Sequence, residues 1–84
     1  MVKITFAPKF KSQVKSINDS MFKNKIKKQI IKIIENPESG KPLRYSFKGE
    51  RNIYIKPYRL FYTYIKDKDE IIFLRIMHRD QAYN

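Results

Sequence analysis

Apolar residues recur along this chain with two different periods, and each period predicts a different kind of secondary structure. Val2, Ile4 and Phe6 alternate with polar residues, which is typical of a half-buried strand that ends before Pro8. After this strand the apolar residues recur every three or four positions, as on one face of a helix. They are Phe10, Val14 and Ile17. The chain is therefore predicted to begin with a strand and a short helix.

A second, longer helix shows the helical period most clearly. Its apolar face is formed by Phe22, Ile26, Ile30, Ile33 and Ile34. Residues 18–20 supply a break and a cap before it, and it is predicted to end before Pro37, which disfavours a helical residue at Asn36. Lysines cover the remaining faces, where we expect solvent exposure and docking to phosphate or to an acidic partner. Two helices joined this tightly should form an antiparallel hairpin.

The second half of the chain is rich in Ile, Tyr and Phe and predicts three further strands. A turn-rich connector at residues 37–42 precedes them, and residues 43–49 are expected to form an irregular or edge segment. The strands are predicted at residues 53–55, 58–65 and 70–77, with the last two forming a hairpin. The order β-α-α-β-β-β predicts an α+β fold, in which the helical hairpin packs on a mainly antiparallel four-stranded sheet.

Length and charge narrow the classes of function. Residues 1–84 are expected to form a single domain, because a chain of 84 residues has room for one hydrophobic core. Nineteen Lys and Arg against 8 Asp and Glu give a net charge of +11. Such an excess produces a positive field that favours a polyanionic partner. Charge alone leaves RNA, DNA, an anionic membrane and an acidic protein open.

Cysteine content and apolar runs exclude other classes. The chain has no cysteine, which excludes disulfides and thiolate zinc sites and fits a reducing interior, so the cytoplasm is the expected location. No apolar run approaches the roughly 20 residues that span a bilayer, so no membrane partner is expected. Asp67, Asp69 and Glu70 lie among lysines in a predicted turn and are interpreted as turn residues. We predict no metal and no cofactor.

The single histidine lies in a group of reactive side chains after the last predicted strand. His78 and Arg79 are neighbours, and Tyr83 follows four residues later. Imidazole transfers protons near neutral pH, guanidinium holds phosphate oxygens, and a phenol stacks on a base or orients a phosphate. This group is able to bind and cut a phosphodiester, although a lone histidine at a strand end is as often a surface or interface residue. Neighbouring strand residues point to opposite faces, so His78 and Arg79 need a bend to reach one phosphate.

Four short segments carry a resemblance to a known family. They are NPESGKPL at residues 36–43, FKG at 47–49, YRLFY at 58–62, and RIMHR at 75–79 together with Tyr83. With the order of elements, they resemble the RelE-type toxins of the RelE/ParE superfamily of bacterial and archaeal toxin-antitoxin pairs. The resemblance implies a compact toxin that enters the ribosomal decoding site and cuts mRNA without a metal. It also implies a RelB-like antitoxin as partner.

The resemblance also implies roles for individual residues. Metal-free cleavage begins with attack of a 2'-hydroxyl on the adjacent phosphorus and needs a base, an acid and positive charge. The family's strand arginine falls on Arg59, its His-Arg pair on His78 and Arg79, and its C-terminal tyrosine on Tyr83. By chemical type, Arg59 and Arg79 are expected to supply the positive charge and His78 the proton. The general base stays unassigned, because this chain has Tyr54 where many relatives carry a basic residue. The predicted RNA-binding residues are Arg44, Lys48, Arg51, Tyr54, Lys56 and Arg75.

Alternatives remain for single residues and for the whole chain. Arg59 is also interpretable as a sheet arginine paired with Glu35 or Glu50, and Arg75, inside the last strand, is expected to support the site. ParE-type relatives share the fold and are thought to poison gyrase rather than cut RNA. The alternatives to a nuclease are therefore a ParE-like gyrase inhibitor and a non-catalytic basic module that binds the ribosome or a nucleic acid.

Overall fold

Two helices and five strands make up the part of the chain that the computed structural model describes, residues 2–42 and 49–79. The helices are α1 (Pro8–Lys15) and α2 (Ser20–Glu35). The strands are β1 (Lys3–Phe6), β2 (Lys41–Pro42), β3 (Glu50–Ile55), β4 (Tyr58–Ile65) and β5 (Glu70–His78). A short 3-10 turn, Lys66–Lys68, joins β4 to β5. The predicted α+β class is confirmed.

The strands lie side by side in the order β1-β5-β4-β3-β2. β4 is antiparallel to both β3 and β5, whereas β1 is parallel to β5. The sheet is mainly antiparallel, as predicted, but the predicted count of four strands is one too few. The difference is β2, which lies within the predicted connector and pairs with β3 through Lys41 and Asn52. β3 also begins at Glu50, three residues before its predicted start.

The hydrophobic core lies between the helices and one face of the sheet. Its fully buried large side chains are Tyr62, Phe73, Ile26, Ile33, Leu60 and Ile71. Phe10 of α1 adds a ring 5.7 Å from that of Phe73. Full burial of such side chains contributes about 1.5–3 kcal/mol each. Across residues 2–42 and 49–79, no helix is long and apolar enough to span a lipid bilayer.

Both ends of α2 follow from the local sequence. At its start the Asp19 carboxylate accepts hydrogen bonds from the backbone N–H groups of Met21 and Phe22, at 2.9 and 3.2 Å. These bonds satisfy donors that have no partner within the first turn of a helix. The helix ends at Glu35, and Asn36 before Pro37 has non-helical backbone angles, as predicted.

The connector after α2 is fixed to the sheet by Tyr62. Its buried hydroxyl donates to the carbonyl of Pro37 and accepts from the N–H of Gly40, both at 2.8 Å. A Cβ atom at Gly40 would lie 2.5 Å from this hydroxyl oxygen, so the close approach requires glycine. Arg51 donates to the carbonyl oxygens of Glu38 and Gly40 and closes the connector against β3.

The acidic residues near the β4–β5 turn have structural partners. Asp69 adopts a left-handed conformation with φ of 48°, and its carboxylate accepts from the Tyr64 hydroxyl at 2.9 Å. This hydrogen bond raises the pKa of Tyr64 above its usual value. Glu70 accepts from the Thr5 hydroxyl at 3.0 Å. Asp69 and Glu70 are therefore bound within the turn and to the neighbouring strand.

Candidate nucleic-acid interface

The sheet face opposite the helices carries a cluster of basic, polar and aromatic side chains. Across the strands, Tyr54 pairs with Arg59, Arg59 with Met77, and Phe61 with Arg75. Successive residues of a strand point to opposite faces, and Leu60 and Tyr62 of β4 belong to the core. Arg59 and Phe61 therefore point away from the helices. We name this surface the outer face; it comprises Asn52, Tyr54, Arg59, Phe61, Arg75 and Met77.

Arg59 is held in a defined orientation at the centre of the outer face. Its Nη1 donates to Asn52 Oδ1 at 2.9 Å, and its guanidinium carbon lies 5.1 Å from the centroid of the Tyr54 ring. Asn52 is only 6% exposed, and its Nδ2 donates to the carbonyl of Lys41 at 3.1 Å. Both ends of the Asn52 amide are thus hydrogen-bonded, which links β2 to the arginine.

Two of the arginines that were predicted to bind RNA, Arg51 and Arg75, have structural contacts. Arg75 Nη2 lies 2.9 Å from the carboxylate of Glu50, and its guanidinium carbon lies 4.5 Å from the Phe61 ring centroid. Glu50 therefore pairs with Arg75, and a supporting role for Arg75 stays a prediction. Arg51 points to the opposite face from its neighbour Asn52 and binds the connector. A contact of Arg51 or Arg75 with RNA stays a prediction.

His78 lies on the helix side of the sheet. It pairs with Tyr58 across β4 and β5, and the two rings meet edge to face with centroids 5.5 Å apart. Tyr58 in turn packs against Phe22 of α2, at 5.1 Å. The sheet therefore separates the imidazole of His78 from the guanidinium of Arg59. Both residues nevertheless lie at the same end of the sheet, because Tyr58 and Arg59 are neighbours.

The backbone changes direction at Arg79, where a bend was predicted to be necessary if His78 and Arg79 are to reach one phosphate. β5 ends at His78, and Arg79 has a helical backbone conformation. Its backbone N–H donates to the carbonyl of Pro57 at 2.9 Å, which places it beside the β3–β4 turn and near the start of β4. Arg79 is exposed. The other predicted site residues, Arg44, Lys48 and Tyr83, lie outside the described residues.

A groove of about 550 Å³, which was not predicted from the sequence, lies between α2 and the end of β3. We name it the lysine groove. Its charged and apolar lining includes Lys25, Lys28, Lys32, Lys56, Ile31, Ile55 and Tyr54. Lys56 and Tyr54, both predicted to bind RNA, lie here. The lysines of α2 were the only indication in the sequence, because the groove joins elements that are far apart in the chain.

Solved structures of toxin-antitoxin proteins share this fold. A chain of the intact E. coli RelBE toxin-antitoxin complex matches with a TM-score of 0.79 and 16% identity, covering 93% of this chain and 96% of that one. YafQ from E. coli strain BL21(DE3) gives 0.77 and 23%, with complete coverage of both chains. A YoeB/ParE toxin from Agrobacterium tumefaciens gives 0.81 and 14%, covering 92% and 98%. These likenesses define the structural class, a RelE-like α+β fold.

The family follows from the sequence itself. Residues 4–83 match the model of the ParE toxin of the type II toxin-antitoxin system, parDE. Because this match spans nearly the whole chain, the protein belongs to the ParE toxin family of type II toxin-antitoxin systems. The predicted membership of the RelE/ParE superfamily is confirmed. Comparison with curated proteins gave no match.

Proposed function

We propose that this toxin is a metal-independent endoribonuclease that cuts mRNA in the decoding site of the ribosome. The observation that carries the proposal is the fixed position of Arg59, whose guanidinium is held by Asn52 and Tyr54 on the outer face. An arginine on a strand that is held by a buried amide and an aromatic ring is suited to bind a phosphate in one geometry. Its side chain needs little reorganisation when the substrate binds.

In this proposal the scissile phosphate lies at the end of the sheet where β4 begins and β5 ends. Arg59 and Arg79 neutralise the charge that develops on the phosphate oxygens. The 2'-hydroxyl gives up its proton to a general base, which stays unassigned, and attacks phosphorus. The 5'-oxygen leaves with a proton from His78, which gives a 2',3'-cyclic phosphate. Because His78 and Arg59 lie on opposite faces of the sheet, the RNA passes across the end of the sheet, where β4 begins and β5 ends. Tyr83 stacks on a base or orients the phosphate.

Two macromolecular partners complete the proposal. The ribosome arranges the message in line for attack, because the toxin supplies few catalytic groups of its own. The partner that neutralises the toxin is a RelB-like antitoxin. Support comes from similar structures that are complexes, namely E. coli RelBE and the RelB-RelE antitoxin-toxin complex from Methanococcus jannaschii.

A second candidate function is inhibition of DNA gyrase. It is favoured by the match of residues 4–83 to the ParE model. Two features of the site also favour it: Tyr54 occupies the position that is basic in many RelE-type toxins, and Arg75 is paired with Glu50. In this case the basic surfaces would bind a protein or DNA and perform no chemistry.

A translating extract distinguishes these functions. Addition of the purified chain should produce new 5' ends within codons at the decoding site, mapped by primer extension. Arg59→Ala and Arg79→Ala should each reduce cutting at least about 100-fold, since each removes a transition-state contact of roughly 3 kcal/mol. His78→Gln should reduce cutting less than Arg79→Ala. Lys11→Ala, an exposed cation on α1, is the matched control and should cut normally.

The opposite outcomes are equally specific. Intact mRNA together with arrested gyrase in a supercoiling assay would establish the second candidate. A loss of cutting in His78→Gln that equals or exceeds the loss in Arg79→Ala would contradict the assigned roles. Intact message with unaffected gyrase would leave a non-catalytic binding module.

A further inference from the structure

We propose that Gln13 of α1 is a positioning residue, which holds the end of β5, and with it His78 and Arg79, in place for cleavage. The Gln13 amide makes two hydrogen bonds to the backbone of Ile76, both at 2.8 Å. Its Nε2 donates to the carbonyl oxygen of Ile76, and its Oε1 accepts from the N–H. The effect on cleavage rests on the proposed nuclease, whereas the effect on the position of His78 is measurable without RNA.

Gln13 occupies the place where β1 would continue beside β5. At the end of β1 the N–H of Ala7 donates to the carbonyl of Phe73, at 2.9 Å. The chain then turns into α1, whereas β5 continues to His78. Backbone groups at a strand edge need hydrogen-bond partners when they are removed from water. A side-chain amide offers one acceptor and one donor group, as a residue of a neighbouring strand does, so Gln13 extends the pairing of β5 beyond β1.

An irregularity in β5 brings Ile76 to Gln13. Phe73 and Ile76 are three positions apart, yet both present backbone groups to the β1 side, and both side chains belong to the core. Regular alternation from Phe73 would give this orientation to Arg75. The shift in register between β4 and β5 moves it to Ile76 instead. The Gln13 amide therefore stabilises the register that places His78, two residues later, on the helix side of the sheet.

The segment that carries His78 and Arg79 is held at both ends by contacts outside β5. Gln13 binds Ile76 at one end, and at the other end the N–H of Arg79 donates to a carbonyl of the β3–β4 turn, at 2.9 Å. Between these points the His78 ring meets the Tyr58 ring edge to face. Loss of the amide removes one of the two anchors, so the strand end should open more often. A displacement of catalytic groups by about 1 Å costs up to roughly 100-fold in rate.

Gln13→Met tests this role, because methionine is also unbranched and flexible but has no amide to bind Ile76. The matched control is Val14→Ala at the neighbouring position of α1. Val14 packs against the core, so this change lowers stability while it leaves the hydrogen bonds of Gln13 in place. Circular dichroism confirms that each variant is folded under the conditions of the measurements.

NMR of the toxin without RNA measures the position of the strand end. In Gln13→Met the amide hydrogens of Ile76 and Arg79 should exchange with solvent at least about tenfold faster, relative to the core amide of Tyr62. The imidazole C–H signals of His78 should also shift, because the Tyr58 ring lies only 5.5 Å from the His78 ring. In Val14→Ala any faster exchange should be equal at all three amides, and the His78 signals should stay in place.

Kinetics of mRNA cutting separate positioning from binding. With ribosome-bound message as substrate, Gln13→Met should lower kcat about tenfold and change KM less than about twofold, because the amide acts on the groups that react and not on the surfaces that bind. Val14→Ala should retain the kcat of the wild type in folded protein.

Several results would contradict a positioning role. Unchanged His78 signals in Gln13→Met would overturn the inference, and equal losses of kcat in the two variants would show that the amide only stabilises the fold. A higher KM with unchanged kcat would assign Gln13 to substrate binding instead. If the wild-type chain cuts no mRNA, the nuclease is refuted, and the exchange rates and His78 signals alone decide whether Gln13 positions the end of β5.

Discussion

At the scale of single residues, Asn52 has the clearest effect on the candidate site. Asparagine occurs mostly in turns and on surfaces, so a buried position of Asn52 in a strand was not predicted from its residue type. In the structure it is buried, accepts from Arg59 and donates to the carbonyl of Lys41. Burial of a side-chain amide is favourable when both its oxygen and its nitrogen are hydrogen-bonded. Because the nitrogen of Asn52 binds Lys41 of β2, Asn52 holds Arg59 in place only while β2 is paired.

Replacement of Asn52 should impair function more than stability. Asn52→Ala removes both hydrogen bonds and should lower the free energy of unfolding by about 1–3 kcal/mol, measured in urea. It also releases the Arg59 guanidinium, so mRNA cutting should fall at saturating substrate in protein that is still fully folded.

Thr63→Val is the matched control for Asn52→Ala. It removes one hydrogen bond, from the Thr63 hydroxyl to the carbonyl of Gly49, without touching Arg59. Cutting should be unchanged in this variant. Equal losses of cutting in the two variants would show that Asn52 does not orient Arg59.

At the scale of elements, the sequence predicted the helices and strands whose buried apolar residues recur with a regular period. α2 has a continuous apolar stripe, and β4 and β5 have enough Ile, Tyr and Phe to specify strands. β2 and the first half of β3 have no such pattern, because Glu50, Arg51 and Asn52 are polar. They form strands because of tertiary contacts, namely the pairing of residues 41 and 42 with β3 and the hydrogen bond from Asn52 Nδ2 to the carbonyl of Lys41.

The face of the sheet on which each site residue lies could not be predicted from the sequence, for a different reason. Tyr62 pairs with Phe73 but Phe61 pairs with Arg75, so one residue of β5, Leu74, is left out of the ladder. Regular alternation from Phe73 would place Arg75 on the core side and His78 on the face of Arg59. The extra residue reverses both positions. A sequence gives no direct sign of such a bulge.

The connector between α2 and β2 depends on one hydroxyl group. Tyr62→Phe leaves the buried N–H of Gly40 and the carbonyl of Pro37 without their side-chain partner. We expect a loss of about 1–3 kcal/mol in the free energy of unfolding in urea. The matched control is Tyr64→Phe in the same strand, which removes an exposed hydrogen bond to Asp69 and should cost less. Equal losses in the two variants would contradict this account of the connector.

At the scale of the whole molecule, the net charge is +11, and the basic side chains of the outer face and of the lysine groove have different surroundings. On the outer face the arginines are held by Asn52, Tyr54 and Glu50, which suits a partner bound in one geometry. In the lysine groove flexible ammonium groups surround an aliphatic lining, which suits a partner with mixed side chains. The two surfaces meet at Tyr54, so ligands on them should compete near that ring.

The dependence of binding on salt separates the two surfaces. Each phosphate contact releases counterions, so the logarithm of RNA affinity should fall linearly with the logarithm of salt concentration. For a short single-stranded RNA, Arg59→Ala and Arg79→Ala should each reduce this slope by about 0.7–1, because each removes one phosphate contact. Lys28→Glu/Lys32→Glu should change the RNA slope less than either single variant, although it alters the net charge more. If the slope instead follows net charge in all three variants, RNA binds to a diffuse positive field, and Arg59 and Arg79 do not form a site for it.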